Sequence, residues 1–240
     1  MNTVKVPVRL HNIINLESFP LFCIYLLMTS FSGYWQKWTK PLNLKPLLVL
    51  HNFICCVGSF YTFYGFTRGV YKSGFLYSKE VTEELTFVFW VYYMTKIVEL
   101  MDTVFMILRH RQRQISFLHV FHHSSMLLLS NFGYAYLPYP CIAVFQSLNS
   151  LVHVVLYFYY GLTAVVPNNP PQWRKQLTQM QIIQFLIDFA ISLYGVVYYE
   201  FCFFSLFYGL SMTVLFSNFY YHAYVRKPKQ KQPEDKIKSN

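Results

Sequence analysis

The chain has 240 residues, 55% of them hydrophobic and 12% charged, with a mean hydropathy of +0.30 and a formal charge of +10. Such a composition argues against a water-soluble globular domain. The basic residues fall in short clusters between apolar stretches and not along one polar face, which argues against nucleic-acid binding.

Residues 1–18, MNTVKVPVRLHNIINLES, are too polar for the apolar region of a signal peptide. A helix needs roughly 20 apolar residues to cross the bilayer core. Seven stretches approach that: 19–35, 47–67, 85–108, 115–131, 141–162, 178–199 and 201–224. The pattern predicts an all-α integral membrane protein, a bundle of about seven transmembrane helices. The first and fourth spans are short, and the last two meet in a tight turn near Glu200. The loop Pro167–Trp173 contains three prolines, which lack an amide donor, and reads as a linker. The tail 225–240 is basic and polar and is expected to be disordered. Its end, Lys236-Ile-Lys238-Ser-Asn240, resembles a dilysine retrieval signal for the endoplasmic reticulum, with a solvated charge run as the plainer reading.

Loops between the spans, with the tail, put 14 of the 20 Lys and Arg on one side and five on the other, leaving Lys96 inside a span. Such a bias predicts a lumenal amino terminus and a cytosolic carboxyl tail. The five cysteines (Cys23, Cys55, Cys56, Cys141, Cys202) lack zinc or redox spacing and read as small buried hydrophobes, with a lumenal Cys141–Cys202 pair as the alternative.

Ionisable groups within a span are costly unless they face a protein interior or a wet cavity, so each is a functional candidate. The third span carries Lys96, Glu99, Asp102 and Thr103 in the pattern KxxExxDT, which helical spacing gathers into one polar stripe. On the fourth, His119, His122 and His123 share a face. Asn149, His153, Tyr157 and Tyr160 do so on the fifth, and Thr178, Gln181, Gln184 and Asp188 on the sixth. At 1.5 Å per residue, Asp102 lies roughly 10 Å from Arg109, and the His119–His123 box roughly 8–14 Å beyond Arg113. The stripes are thus expected to converge in the cytosolic half of the membrane. Gln184 or Asn149 alone is accounted for by helix packing. Three imidazoles beside two carboxylates at one depth are more than packing requires.

A histidine box in a membrane protein also suits iron, as in desaturases and hydroxylases, but a diiron site needs several boxes. Among His11, His51, His110, His119, His122, His123, His153 and His222 there is one box. A single metal on His119, His123 and His153 stays open as an alternative. So does a non-enzymatic seven-span receptor or transporter, though neither needs the convergent groups. Without metal, imidazole acts as general base or nucleophile, and a neighbouring carboxylate fixes its tautomer. No cysteine lies near the stripe to act in its place.

Four elements resemble those of the ELO family of very-long-chain fatty acid elongases, the 3-oxoacyl-CoA synthases. They are Lys96-Ile-Val-Glu99-Leu-Met-Asp102-Thr103, His119-Val-Phe-His122-His123, His153-Val-Val-Leu156-Tyr157-Phe-Tyr159-Tyr160 and Thr178-Gln-Met-Gln181-Ile-Ile-Gln184. Leu156 stands where the family usually has Met, an exchange that keeps bulk and hydrophobicity. The resemblance covers nearly the whole chain and implies a seven-helix elongase domain over 19–224, enclosing an acyl-CoA tunnel open to the cytosol. It implies condensation of a long-chain acyl-CoA with malonyl-CoA in the endoplasmic reticulum membrane. A ketoacyl reductase, a dehydratase and an enoyl reductase would be partner enzymes for the later steps. No cofactor or metal is expected beyond the two CoA substrates, and a homo-oligomer is compatible. His122 is the expected nucleophile, its ring held by Glu99 or Asp102, with His119, His123, His153 and Lys96 completing the catalytic set. Asn149, Tyr157, Tyr160, Gln181 and Gln184 are the expected substrate-binding groups, with Arg174 and Lys175 meeting the CoA phosphates beside Arg109, Arg111 and Arg113.

Overall fold

The computed structural model describes residues 10–199, 201 and 203–226. Its helices are α1 (Leu10–Ile14), α2 (Phe19–Trp38), α3 (Lys45–Ser73), α4 (Glu83–Glu99), α5 (Met101–Leu108), α6 (Phe117–Tyr136), α7 (Pro140–Val165), α8 (Arg174–Tyr199) and α9 (Phe203–Tyr220), the last continuing as a π turn over Tyr221–Val225. Each of the seven expected spans is helical, so the protein is an all-α, multi-pass membrane protein. The short α1 was not foreseen. The dilysine-like tail and Cys202 lie outside the described residues.

Four segments, α3, α7, α8 and Phe203–Val225, are long and apolar enough to cross a bilayer by length and composition alone. The 85–108 span is interrupted at Leu100, whose amide bonds back to Ile97 O at 3.2 Å, an i→i−3 tightening that separates α4 from α5.

Local signals explain the helix ends. Proline stands in the first turn of α2, α3 and α7, where its missing amide costs no bond. The side chains of Thr82 and Ser116 cap α4 and α6 by accepting from the amides of Leu85 and His119, each at 3.2 Å. α3 runs six residues beyond its expected end because the stop is Gly74, left-handed at φ 65°, and not Arg68.

The interior holds charged and polar groups among its apolar clusters, and the exterior is rich in large apolar side chains. Lys96, Glu99, His51, Asn52, Asn149, His153, Gln184 and Asp188 are buried, while Phe53, Val57, Phe60, Tyr64, Val197, Phe204 and Phe207 are exposed. This inverts the order of a water-soluble protein and suits a chain whose solvent is lipid. The most extensive pairings are α3 with α7 and α8 with α9. Small residues let α3 and α7 approach: Thr62 Oγ1 meets Ser150 Oγ and Thr67 Oγ1 meets Ser147 Oγ, both at 2.9 Å.

Contacts at the two ends sort the loops into the same two sets as the charge bias. Gln36 donates to Ile107 O at 3.0 Å, Leu42 N to Leu108 O at 3.0 Å, and Thr39 meets His110 at 3.1 Å. Trp173 packs edge-on to Tyr159 at 4.9 Å, and Gln179 donates to Tyr220. These contacts define the end called here the basic face. At the opposite face, Tyr77 donates to Ile191 O at 2.9 Å and clusters with Cys141 and Phe201.

Candidate active site

Three buried hydrogen-bonded clusters occupy the half of the bundle toward the basic face. The first joins α4 to α7. Lys96 Nζ donates to both carboxylate oxygens of Glu99, at 2.8 and 3.0 Å, and His153 Nδ1 lies 3.1 Å from Glu99 Oε1 and 3.2 Å from Lys96 Nζ. Nδ1 cannot serve both neighbours. Donation to Glu99 is the consistent choice, because a bare Nδ1 would set a lone pair against an anion. His153 then presents an unprotonated Nε2, with its ring 6.2 Å from that of His122. The Lys96 ammonium also sits over the Tyr92 ring at 4.8 Å.

The second cluster joins α3, α5 and α7. Asp102 Oδ1 is 2.9 Å from His51 Nε2, and Asp102 Oδ2 accepts from the Tyr157 hydroxyl at 2.7 Å. The third joins α2, α5 and α6: His119 Nε2 is 2.8 Å from Thr103 Oγ1, which is 3.0 Å from the Tyr25 hydroxyl.

The single stripe expected from Lys96, Glu99 and Asp102 is therefore divided. A step of three residues falls about 60° short of a full turn, so Asp102 stands about 120° from Lys96 even on a regular helix. Glu99 accordingly faces α7 while Asp102 reaches His51 on α3 and Tyr157 on α7.

The expectation that Glu99 or Asp102 holds the His122 ring is corrected. Both carboxylates are engaged elsewhere, and His122 Nδ1 is buried with no hydrogen-bond partner among the described residues. His122 is surrounded instead by rings: His153 at 6.2 Å, His123 at 5.6 Å, Phe216 at 6.2 Å and Phe185 at 6.5 Å. His123 stacks at 4.3 Å on His119.

The binding candidates separate. Asn149 Oδ1 accepts from Tyr92 at 2.7 Å, and Tyr157 belongs to the second cluster. Tyr160 is 41% exposed and meets Tyr157 edge-on at 6.2 Å, so it stands at the rim. Gln181 is half-buried, and Gln184 donates to Asp188 at 3.0 Å, away from the histidines. Arg174 and Lys175 are exposed on the first turn of α8, with Lys175 Nζ 5.8 Å from the Tyr220 ring centre.

Sequence reasoning missed His51, Tyr25 and Tyr92. The signal for His51 was present: His51, Asn52, Cys55, Ser59 and Thr62 recur at three- and four-residue steps, and all are buried in α3. Tyr25 and Tyr92 offered none, being two among 21 tyrosines.

Chemically, the arrangement offers an imidazole whose Nδ1 has no hydrogen-bond partner among the described residues beside an oriented one, with fixed charges behind them. His119, His123 and His153 do not converge: no group of three or more His, Cys, Asp or Glu among the described residues is placed to hold a metal ion.

A model of the ELO family, described as GNS1/SUR4, matches residues 16–232. The very long chain fatty acid elongase 5 of Rattus norvegicus is 32% identical over 232 residues, covering 91% of this chain and 78% of its own length. The protein of the same name from Tachysurus fulvidraco is 32% identical over 217 residues, with coverage of 85% and 74%. That from Homo sapiens is also 32% identical over 217 residues, with coverage of 85% and 73%. The match takes in all four polar motifs and every cluster described above, and this chain belongs to the ELO (GNS1/SUR4) family.

Proposed function

We propose that this protein is a fatty acid elongase that condenses a long-chain acyl-CoA with malonyl-CoA, giving a 3-oxoacyl-CoA two carbons longer, carbon dioxide and CoA. The observation that carries the reading is the pairing of His122, free of hydrogen bonds at Nδ1, with His153, whose ring is oriented by Glu99 and Lys96. Family membership and the elongase names of the relatives support the same reaction.

In the scheme we favour, His122 Nε2 attacks the thioester carbon. The C–S bond breaks, CoA leaves as the thiolate and takes a proton from water at the basic face, and an acyl-imidazolium remains with its proton on Nδ1. Malonyl-CoA then loses carbon dioxide, and the electron pair of the broken C–C bond becomes its enolate. The enolate carbon bonds to the acyl carbon while the acyl C–N bond breaks and returns its pair to the ring. Division of the reaction in this way exchanges one difficult step for two easier ones. His153 is placed to accept a proton at Nε2, and the Lys96 charge stabilises developing oxyanions.

The CoA phosphates meet Arg109, Arg111, Arg113, Arg174 and Lys175 at the basic face, which we place in the cytosol of the endoplasmic reticulum membrane. The acyl chain runs from the histidines between α6, α7 and α8 toward the lumen. Reduction and dehydration of the 3-oxo product fall to separate ketoacyl reductase, dehydratase and enoyl reductase partners.

Expression in cells lacking their own elongases, with acyl profiling, tests the activity. Products two carbons longer are expected and should vanish with His122→Ala; products lacking two hydrogens would instead mean a desaturase. Incubation with acyl-CoA alone, followed by mass spectrometry, tests the covalent step. If no acyl mass appears on the peptide containing His122, histidine acts only as a base.

A further inference from the structure

Four buried side-chain polar atoms lack a hydrogen-bond partner among the described residues. One is His122 Nδ1, and the others are Gln146 Oε1 on α7 and Asp188 Oδ1 and Ser192 Oγ on α8. Gln146 and Asp188 are 7% exposed and Ser192 is 0% exposed. Asp188 and Ser192, four residues apart, share one face of α8. The other Asp188 oxygen is held by Gln184 Nε2 at 3.0 Å, which fixes the carboxyl and leaves Oδ1 unfilled. Gln146 lies one turn from Asn149 on the same face of α7. At 1.5 Å per residue along their helices, Gln146, Asp188 and Ser192 all lie farther from the basic face than the histidines.

Each buried polar atom without a partner costs about 1–3 kcal/mol, and the lipid around the bundle offers no hydrogen bond to relieve it. Two of these atoms are acceptor oxygens and the third is a hydroxyl that can donate. Their complement is a small group that both donates and accepts. A saturated or unsaturated hydrocarbon chain offers no such group.

We propose that Asp188, Ser192 and Gln146 form a subsite for a hydroxyl group carried on the acyl chain. The proposal rests on the elongase reading above. Phe185 meets the His122 ring at 6.5 Å and marks the level of the reacting carbon. Asp188 and Ser192 lie three and seven residues further along α8, about 4.5 and 10 Å deeper. An extended chain advances about 1.2 Å per bond, which places the favoured hydroxyl about four to nine carbons from the thioester carbonyl. Gln184 becomes a positioning residue for Asp188.

The test uses the full-length protein in membranes with malonyl-CoA and paired substrates of one chain length, saturated or carrying a single hydroxyl at about carbons five to ten. Asp188→Leu and the milder Ser192→Ala are compared with the native chain. The readout is the ratio of hydroxyacyl to saturated elongation, which is independent of how much variant folds. The ratio is expected to fall at least about tenfold in Asp188→Leu and by less in Ser192→Ala. An equal ratio in native and variant proteins overturns the subsite and leaves the orphans to a resident water. If the native protein elongates neither chain, the elongase reading itself fails.

Discussion

Glu99→Gln tests whether the Lys96–Glu99–His153 cluster is chemistry or helix packing. Lys96 is 3% exposed and Glu99 1%, with Nζ at 2.8 and 3.0 Å from the two oxygens. Loss of one charge from such a pair strands the other, at a cost of about 3–5 kcal/mol. For a chain of this size that is a fall of about 6–20 °C in Tm. Loss of both charges, in Lys96→Met with Glu99→Leu, removes the stranded ammonium and leaves the His153 Nδ1 donor unmatched, a residual cost of about 1–3 kcal/mol. Stability should therefore recover in the double variant. Elongation should not, because His153 loses the group that fixes its tautomer, and general acid–base assistance amounts to about 100-fold or more. Thermal unfolding in detergent, with incorporation of labelled malonyl-CoA per folded molecule, measures both. A double variant that elongates within tenfold of the native protein would refute the catalytic role.

Within the box, His122→Gln should lose at least about 100-fold in elongation rate. His119→Gln should lose much less, because glutamine can still bond Thr103; equal losses would mean that the box acts as a unit. Alanine at Arg174 and Lys175 should raise the KM for acyl-CoA about tenfold, the worth of roughly one charged hydrogen bond, with kcat maintained; unchanged kinetics would remove both from the CoA site. Gly65→Ala puts a Cβ 2.7 and 2.9 Å from the Val88 methyls, an overpacking cost of about 1–3 kcal/mol. Gly33→Ala meets nothing within 4 Å and should stabilise α2 by about 0.5–1 kcal/mol. Unfolding temperatures of the two variants, moving in opposite directions, check the α3–α4 contact.

Hydropathy and the spacing of polar residues were enough to place seven helical segments and to mark which face of four of them turns inward. They were not enough to say which inward groups meet. Lys96, Glu99 and Asp102 read as one stripe because the eye follows three-residue steps, yet a 60° deficit at each step is what parts Glu99 from Asp102. His51 belongs to no box, and its importance appears only once α3 lies along α7 close enough to bring it to Asp102. Thr103 was read as the last letter of a motif. Its work is to join His119 to Tyr25 across three helices, a relation between segments far apart in the chain. The Leu100 tightening had no marker such as proline or glycine at that position.

The distribution of satisfied and unsatisfied groups carries a final argument. Toward the basic face every buried carboxylate oxygen described above has a partner, so the field around the thioester is fixed before substrate arrives and needs no rearrangement during reaction. The unpartnered atoms follow a different line, from His122 Nδ1 to Gln146, Asp188 and Ser192. A folded chain retains such costs where another molecule relieves them or where chemistry needs them. His122 sits at one end of that line, beside the oriented ring of His153. If the acyl chain passes the three deeper groups as proposed, their polarity bears on which chain is accepted. On that proposal the charged clusters serve the reaction common to all substrates, and the orphaned atoms beyond them serve the choice among substrates.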